Sequence, residues 1–179
     1  MENTLKFTKL KFSRIVRLGV GAALILVGAS ILAHTQTPAV KLLTQKALSE
    51  QAALAVAEGV LEKCHADGFH ISVIVLDASG LIKVQVRGDG TGPHTLEHGR
   101  RKAYTALTFK RTSAETAKAW AAAQTPPPVI EGTVAAAGGV PIKAGDDVIG
   151  AIGVSGAPGG DKDEACANAG IARIQDLLK

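Results

Sequence analysis

The chain has 179 residues, enough for one domain of ordinary size, and only 3% of them are aromatic. The first 33 residues contain five of the 20 basic side chains and one of the 16 acidic ones, so a chain that begins at His34 would be formally neutral. This balance gives no support to nucleic-acid binding, and the sequence contains no nucleic-acid-binding motif. Because Ala, Val, Ile and Leu must fill the core, we expect helices and sheet to approach each other closely.

Residues 1–35 are predicted to be an export signal or an N-terminal anchor. Five cations precede an apolar run, Leu18 to Leu32, which is shorter than the roughly 20 residues that a membrane span requires. Cleavage is expected after Ala33 or Thr35, and a cleaved signal is favoured over a retained anchor. Either outcome places the domain outside the cytoplasm, in the periplasm or the extracellular space.

Residues 36–42 are predicted to be a linker, and residues 43–179 one domain. This domain begins with a helix over residues 43–66, capped by Thr44, and Gly68 follows it in the left-handed conformation that ends many helices. The apolar positions of this helix recur at helical spacing: Leu48, Ala52, Ala55, Val56, Gly59 and Val60.

A hairpin follows the first helix. Residues 71–76 are an almost continuous apolar run, residues 77–80 are a turn, and residues 81–86 are the return strand.

The second half of the chain returns to strand character after two helices. We expect strands at residues 133–137, 140–143 and 148–154, and a final helix over residues 161–178. A capping box at residues 112–115 begins a short helix before these strands. The fold class is therefore α+β, with a mainly antiparallel five-stranded sheet flanked by helices in α/β/α layers.

Cys64 and Cys166 are the two cysteines, and they fall in the first and last helices of the domain. An oxidising compartment would permit a disulfide between them. The alternative, which is favoured from the sequence, is that they are two small buried apolar side chains. A zinc site is not expected, because the cysteines do not occur as a close pair.

The most informative stretch is residues 92–112, which predict a helix with two different faces. One face is apolar or small: Leu96, Gly99, Ala103, Ala106 and Leu107. The opposite face carries imidazoles, a guanidinium and hydroxyls: His94, His98, Arg101, Thr105 and Thr108, with Arg100 and Lys102 beside them. This surface would suit an anionic ligand or a metal centre. A solvated polar face is the simpler interpretation, and the spacing alone favours it.

Heme is a ligand that these residue types could bind. Imidazole is a normal axial ligand of heme iron, and His94 and His98 lie one helical turn apart. Arg100, Arg101 or Lys102 could pair with the heme propionates. An apolar wall for the flat ring could come from nearby aromatic residues: Tyr104, Phe109 and Trp120.

Two other motifs are rejected as catalytic. The glycine-rich residues 155–160 lack the ending of a phosphate loop, and acidic side chains occupy the first turn of the helix that follows. Ser155 lies in a G-x-S-x-G-like string, but Ala157 replaces its last glycine, so the nucleophile-elbow pattern is broken.

Several strings of the sequence together resemble the GlcG/HbpS-like heme-binding proteins, which are related to the C-terminal domain of PduO-type proteins. The strings are the hairpin 73–80, residues 101–106, residues 138–142 and the long run 148–166. The resemblance covers residues 43–178.

This resemblance implies an antiparallel five-stranded sheet flanked by helices, assembly into homo-oligomers, and heme binding, with heme handling or sensing in exported members. Heme degradation is also implied for some members, and other members are linked to glycolate or propanediol metabolism. Heme ligands are not uniform in this family, so the assignment of heme to His94 depends equally on the histidine-bearing helix itself.

The sequence therefore predicts an exported, homo-oligomeric heme-binding protein for heme storage, transfer or sensing, and a binding protein is favoured over an enzyme. His94 is the first choice for the iron ligand and His98 the second. One alternative is an accessory enzyme that acts on heme or a small metabolite, with His98 or Tyr104 as proton donor. Another is a heme-responsive partner of a membrane sensor protein.

Overall fold

The structure of the chain is a computed structural model that describes residues 40–124 and 130–179. The predicted signal and residues 36–39 of the predicted linker lie outside these residues. None of the helices that the structure describes is both long enough and apolar enough to cross a membrane.

Within these residues the chain forms four helices and four strands. In chain order they are α1 (Glu50–Ala66), β1 (Ser72–Asp77), β2 (Ile82–Arg87), α2 (Thr95–Phe109), α3 (Ser113–Ala121), β3 (Gly139–Ala144), β4 (Asp147–Ser155) and α4 (Gly160–Ala172), followed by a short 3-10 turn (Gln175–Leu177).

The four strands form one antiparallel sheet in the order β2-β1-β4-β3. The predicted hairpin is confirmed, but the prediction of five strands is wrong: residues 133–137 are not a strand. The backbone of Val134 bonds instead to the side chain of Thr105, which receives a hydrogen bond from the Val134 amide at 2.9 Å and donates one to its carbonyl at 3.2 Å. Left-handed glycines on either side, Gly132 and Gly138, interrupt the extended backbone.

Helices cover both faces of the sheet. Helices α1 and α4 pack together on one face, and α2 packs on the other. Strand β1 is buried on both sides: Val73 and Val75 belong to the core under α1 and α4, whereas Ile74 and Leu76 belong to the core under α2. This two-sided burial explains why the β1 sequence is a continuous apolar run rather than an alternating one.

The ends of two helices differ from the predictions. Helix α1 begins at Glu50 rather than near residue 43, because the hydroxyl of Ser49, not Thr44, caps it by accepting a hydrogen bond from the Ala52 amide at 3.1 Å. Helix α4 ends at Ala172, six residues before the predicted end.

Cys64 of α1 and Cys166 of α4 form a disulfide, with their Cα atoms 5.6 Å apart and both side chains fully buried. The favoured prediction of two free cysteines is therefore wrong. The helix positions were predicted correctly, but the side-by-side packing of α1 and α4 that brings the sulfur atoms together could not be read from spacing alone.

Helix α2 lies unusually close to the sheet. A Cβ atom added at Gly153 of β4 would collide with the carbonyl oxygen of Gly99, and one added at Gly99 would lie 2.6 Å from the Ile74 side chain. Ala103 and Ala106 continue this small-residue face along α2. The expected close approach of helix and sheet is confirmed here, and it fixes the histidine-bearing helix over the sheet.

Candidate functional site

The candidate site is an open cavity of about 880 Å³ beside the first turns of α2. We call it the histidine cavity. Its walls are the segment after α1, the loop before α2, one side of α2, the segment before β3, the β4–α4 connection and the first turn of α4. The lining residues are 68–70, 90–92, 94, 95, 98, 102, 136, 137, 155–158, 160, 161 and 163. Its volume is in the usual range of small-molecule sites, about 300–1,000 Å³.

The two predicted histidines both line this cavity, with ring centroids 6.3 Å apart and planes tilted by 41°. His94 is exposed at the position that precedes the first residue of α2, where its side chain makes no capping hydrogen bond. His98 lies one turn inside the helix and is half-buried. The α2 helix therefore presents one imidazole at the mouth of the cavity and one deeper along its wall.

Buried hydroxyl groups surround the inner part of the cavity. Ser72 Oγ lies 2.8 Å from Thr95 Oγ1 and donates a longer bond, 3.4 Å, to Thr91 Oγ1. On the neighbouring strand, Ser155 pairs in register with Ser72, and its Oγ lies 3.4 Å from Nδ1 of His98. These hydroxyls connect the start of α2 to the ends of β1 and β4.

A buried ion pair closes the inner end of the cavity. Lys102 Nζ donates hydrogen bonds to Asp163 Oδ2 at 2.7 Å and to the Val154 carbonyl at 3.0 Å. The second Asp163 oxygen accepts the Ala157 amide at 3.0 Å. Both side chains are only 3–4% exposed. Burial raises the pKa of Asp163, and the hydrogen bond from Lys102 opposes that change.

The cavity favours the neutral form of His98. Partial burial lowers the pKa of His98 below its usual 6.5, and the positive charges of Lys102, His94 and Arg101 lower it further. A neutral imidazole is the form that can coordinate a metal ion.

The structure separates the predicted cationic residues. Lys102 lies inside the cavity in the ion pair, not on an exposed flank. Arg100 and Arg101 both bond to Glu97, each with a closest distance of 2.8 Å, and together they lower the pKa of Glu97 to about 2. Thr105, predicted on the exposed face of the helix, is fully buried.

The predicted aromatic wall is not at the cavity. Tyr104 lines a different, smaller cavity near the β1–β2 turn. Phe109 and Trp120 pack edge to face at the other end of α2, with ring centroids 5.5 Å apart. Phe69 is the aromatic residue that lines the histidine cavity, and Lys162 lies over its ring at 5.3 Å from the centroid.

Sequence reasoning missed several residues of this site, among them Phe69, His70, Lys162 and Asp163. They come from the segment after α1 and from the start of α4, which are almost a hundred residues apart, so helical spacing could not group them. The disulfide between α1 and α4 was the signal that could have done so, because it joins the two helices that carry these segments.

Within residues 40–124 and 130–179, the structure shows no group of three or more His, Cys, Asp or Glu side chains arranged to hold a bare metal ion. The two imidazoles can instead contribute one or two ligands to an ion whose other ligands come from elsewhere, as in a porphyrin.

A family model described as "Haem degrading protein HbpS-like" matches residues 48–172. Among solved structures, HbpS is 41% identical with a TM-score of 0.70, over 75% of this chain and 96% of that chain. A double mutant of HbpS from Streptomyces reticuli is 40% identical with the same TM-score, over 75% and 93% of the two chains. A search of curated proteins returned no match.

A heme complex of PduOC has the same fold at 23% identity, with a TM-score of 0.63 over 72% of this chain and 96% of that chain. The match to both HbpS structures extends over nearly their whole length, so the likeness concerns the entire domain and not one motif.

Proposed function

The chain belongs to the HbpS-like family, and we propose that it binds heme in the histidine cavity and serves in heme storage, transfer or sensing. The observation that carries this proposal is the cavity itself, which presents two imidazoles one turn apart at a volume of about 880 Å³. A structure of the same fold was solved with heme, so the fold can accommodate that group.

The cavity residues fit the chemistry of heme. Gly, Ala and Pro residues of the β4–α4 connection leave room for a flat ring, and Phe69 supplies an aromatic contact on the opposite segment. Arg101 and Lys162 are exposed cations on the two segments that border the cavity, and we propose them as partners for the propionates. Bound heme would supply the iron chemistry, while these residues bind and orient it.

Titration of the purified protein with hemin tests the proposal. We expect a sharp, saturable shift of the Soret band that disappears when His94 and His98 are both replaced by Ala. His65→Ala is the matched control, because His65 lies on α1 outside the histidine cavity. An unchanged wild-type spectrum would contradict heme binding, and a band that survives the double replacement would contradict iron ligation by His94 and His98.

The family description favours a second candidate function, the degradation of heme. In that case His98 and the buried hydroxyls beside it would hold or deliver protons at the bound group. The heme complex should then lose its Soret band and release iron when a reductant and oxygen are added, at a rate that catalase does not change. A stable spectrum would support a carrier or sensor.

We also propose that the domain works outside the cytoplasm. The N-terminal sequence has the pattern of an export signal, and the disulfide between Cys64 and Cys166 suits an oxidising compartment. Cell fractionation with mass spectrometry of the N-terminus should find an exported chain that begins near His34 or Gln36. A cytoplasmic chain with an intact N-terminus and free thiols would contradict export.

We propose further that the protein is a homo-oligomer at micromolar concentration without heme. Large apolar side chains on the described surface support this, including Leu54, Leu81 and Ile82, which are 42%, 66% and 48% exposed. Light scattering after size exclusion should give at least twice the mass of the chain. A monomer would contradict the assembly.

A further inference from the structure

We propose that His98, held by the hydroxyl of Ser155, is the iron ligand of the histidine cavity, and that His94 is not. This inference rests on the proposed heme site and identifies its ligand. It reverses the order of the two histidines that the sequence favours.

The two imidazoles have different surroundings. His94 precedes the first residue of α2 and is exposed. His98 lies inside the helix, is half-buried and lines the cavity wall. A ligand side chain needs a fixed rotamer, and packing and hydrogen bonds supply this better inside a helix than at the exposed position before it begins.

The backbone around His98 is fixed on three sides. One turn before it, Thr95 Oγ1 lies 2.8 Å from the buried Ser72 hydroxyl. One turn after it, Lys102 bonds to Asp163 and to the Val154 carbonyl. The neighbouring Gly99 lies against β4 so closely that no side chain fits at Gly153. His98 therefore occupies the most constrained part of α2.

Ser155 fixes the ring of His98. This serine is the last residue of β4, is only 3% exposed and lies 3.4 Å from Nδ1 of His98. Hydrogen bonds at ligand sites are often long before the ligand binds, and they shorten in the complex. When the Ser155 oxygen accepts a hydrogen bond from the Nδ1–H group of His98, Nε2 is left as the nitrogen that can coordinate iron.

This arrangement is the usual one for a ligating histidine. Such residues almost always donate their other ring N–H to a second group, which fixes the tautomer and raises the basicity of the coordinating nitrogen. Ser155 is such a partner for His98. Among the residues that the structure describes, the ring of His94 has no hydrogen-bond partner.

Hemin titration of single variants tests the assignment. We expect His98→Ala to abolish the wild-type Soret band and to lower hemin affinity much more than His94→Ala, which should keep the band position. Added imidazole should restore the band in His98→Ala, because it can occupy the vacated position. His65→Ala serves as the control for loss of a histidine outside the cavity.

Ser155 is a positioning residue, so its test needs a spectroscopic readout. Ser155→Ala should lower hemin affinity by about tenfold, the lower end of the effect of removing a partner of a metal ligand. It should also lower the iron–imidazole stretching frequency in the resonance Raman spectrum of the reduced complex. Ser155→Thr keeps the hydroxyl and should restore that frequency, and Ser79→Ala, at an exposed turn, should leave it unchanged.

The outcomes separate this inference from the proposed function. A wild-type protein without a Soret shift would overturn both. Loss of the band in His94→Ala alone, or in both single variants, would overturn the assignment to His98 and leave heme binding in place. An unchanged stretching frequency in Ser155→Ala, with native circular dichroism, would overturn the role of Ser155.

Discussion

At the scale of single residues, the buried ion pair of Lys102 and Asp163 has the largest expected effect on stability. Both side chains are almost fully buried, and their bonds join α2, β4 and α4 at the inner end of the histidine cavity. Removing one member of such a pair leaves an uncompensated charge in a place that water does not reach.

Lys102→Met should therefore lower the free energy of unfolding by about 3–5 kcal/mol. Chemical denaturation measures this change. Lys179→Met is the matched control, because Lys179 pairs with Asp176 on the surface and its loss should change stability by less than about 0.5 kcal/mol. A double variant, Lys102→Met with Asp163→Leu, should be more stable than the single one. If the two lysine variants are equally stable, the ion pair does not have this role.

Glu164 gives a prediction for pH dependence. One of its carboxylate oxygens is buried without a hydrogen-bond partner among the described residues, and burial raises its pKa above the usual 4.5. The nearby Glu115 raises the pKa further, whereas the Gly138 amide and Lys118 lower it. The folded chain then holds the proton more tightly than the unfolded chain, so the contribution of Glu164 to stability decreases as the pH rises above 4.5.

Glu164→Gln should remove this loss of stability with rising pH. It should also raise the free energy of unfolding at pH 7 by roughly 0.5–1 kcal/mol, which is no more than the smallest usual cost of leaving a buried polar group without a hydrogen bond. Urea denaturation between pH 4 and pH 8 measures both effects, with Glu58→Gln on the exposed side of α1 as control. A variant that is less stable than wild type at pH 7 would show that this interpretation of Glu164 is wrong.

At the scale of elements, the crossing of α2 over β4 positions the site. Helix and sheet meet through Gly99 and Gly153, where a Cβ atom added at Gly153 would collide with the Gly99 backbone and one added at Gly99 would displace the end of the Ile74 side chain. This contact fixes the distance between the first turns of α2 and the sheet, and it therefore fixes the position of the His98 backbone as well.

Gly153→Ala should lower the free energy of unfolding by about 3 kcal/mol, because the added methyl group forces α2 away from the sheet. Gly145→Ala is the control: that turn glycine has a φ of +64° but open space around its Cα, so only backbone strain of about 1–2 kcal/mol applies. Thermal unfolding compares the two. The close-packing argument fails if Gly145→Ala is the more harmful change.

The same elements show what the sequence could and could not predict. The layered arrangement could be predicted in part, because the continuous apolar run of β1 requires cover on both faces of the sheet and the small face of α2 permits a close approach. The missing fifth strand could not be predicted, because Thr105, a residue on a helix, provides the hydrogen bonds of Val134 that a neighbouring strand would otherwise provide. The helical spacing of α2 also predicted that Lys102 and Thr105 face solvent. In the structure α4 and residues 134–137 cover these side chains, and the spacing within one helix cannot show which other segments pack against it.

At the scale of the whole molecule, the disulfide connects the two distant parts of the cavity wall. Cys64 lies four residues before Gly68, and Cys166 lies six residues after Gly160, so each cysteine is close to a segment that lines the histidine cavity. Phe69 and Lys162 meet between the same two segments. The covalent bond thus helps to fix the width of the cavity as well as the packing of α1 on α4.

Replacing both cysteines by Ala should lower the free energy of unfolding by about 3–5 kcal/mol, because the bond spans 102 residues and restricts the unfolded chain strongly. Urea denaturation with and without a reductant measures this. The reductant should destabilise the wild type and leave the double variant unchanged. Equal midpoints for the wild type in both conditions would contradict a stabilising role.

The same bond determines how the protein responds to mechanical force. If the two ends of the chain are pulled apart, the segment between Cys64 and Cys166 cannot lengthen while the sulfur atoms remain joined. At about 3.4 Å per residue, a sequence separation of 102 residues corresponds to roughly 350 Å of chain length that pulling cannot extend while the disulfide is intact. An optical trap should record this extra length only after a reductant is added, so one covalent bond makes most of the domain inextensible.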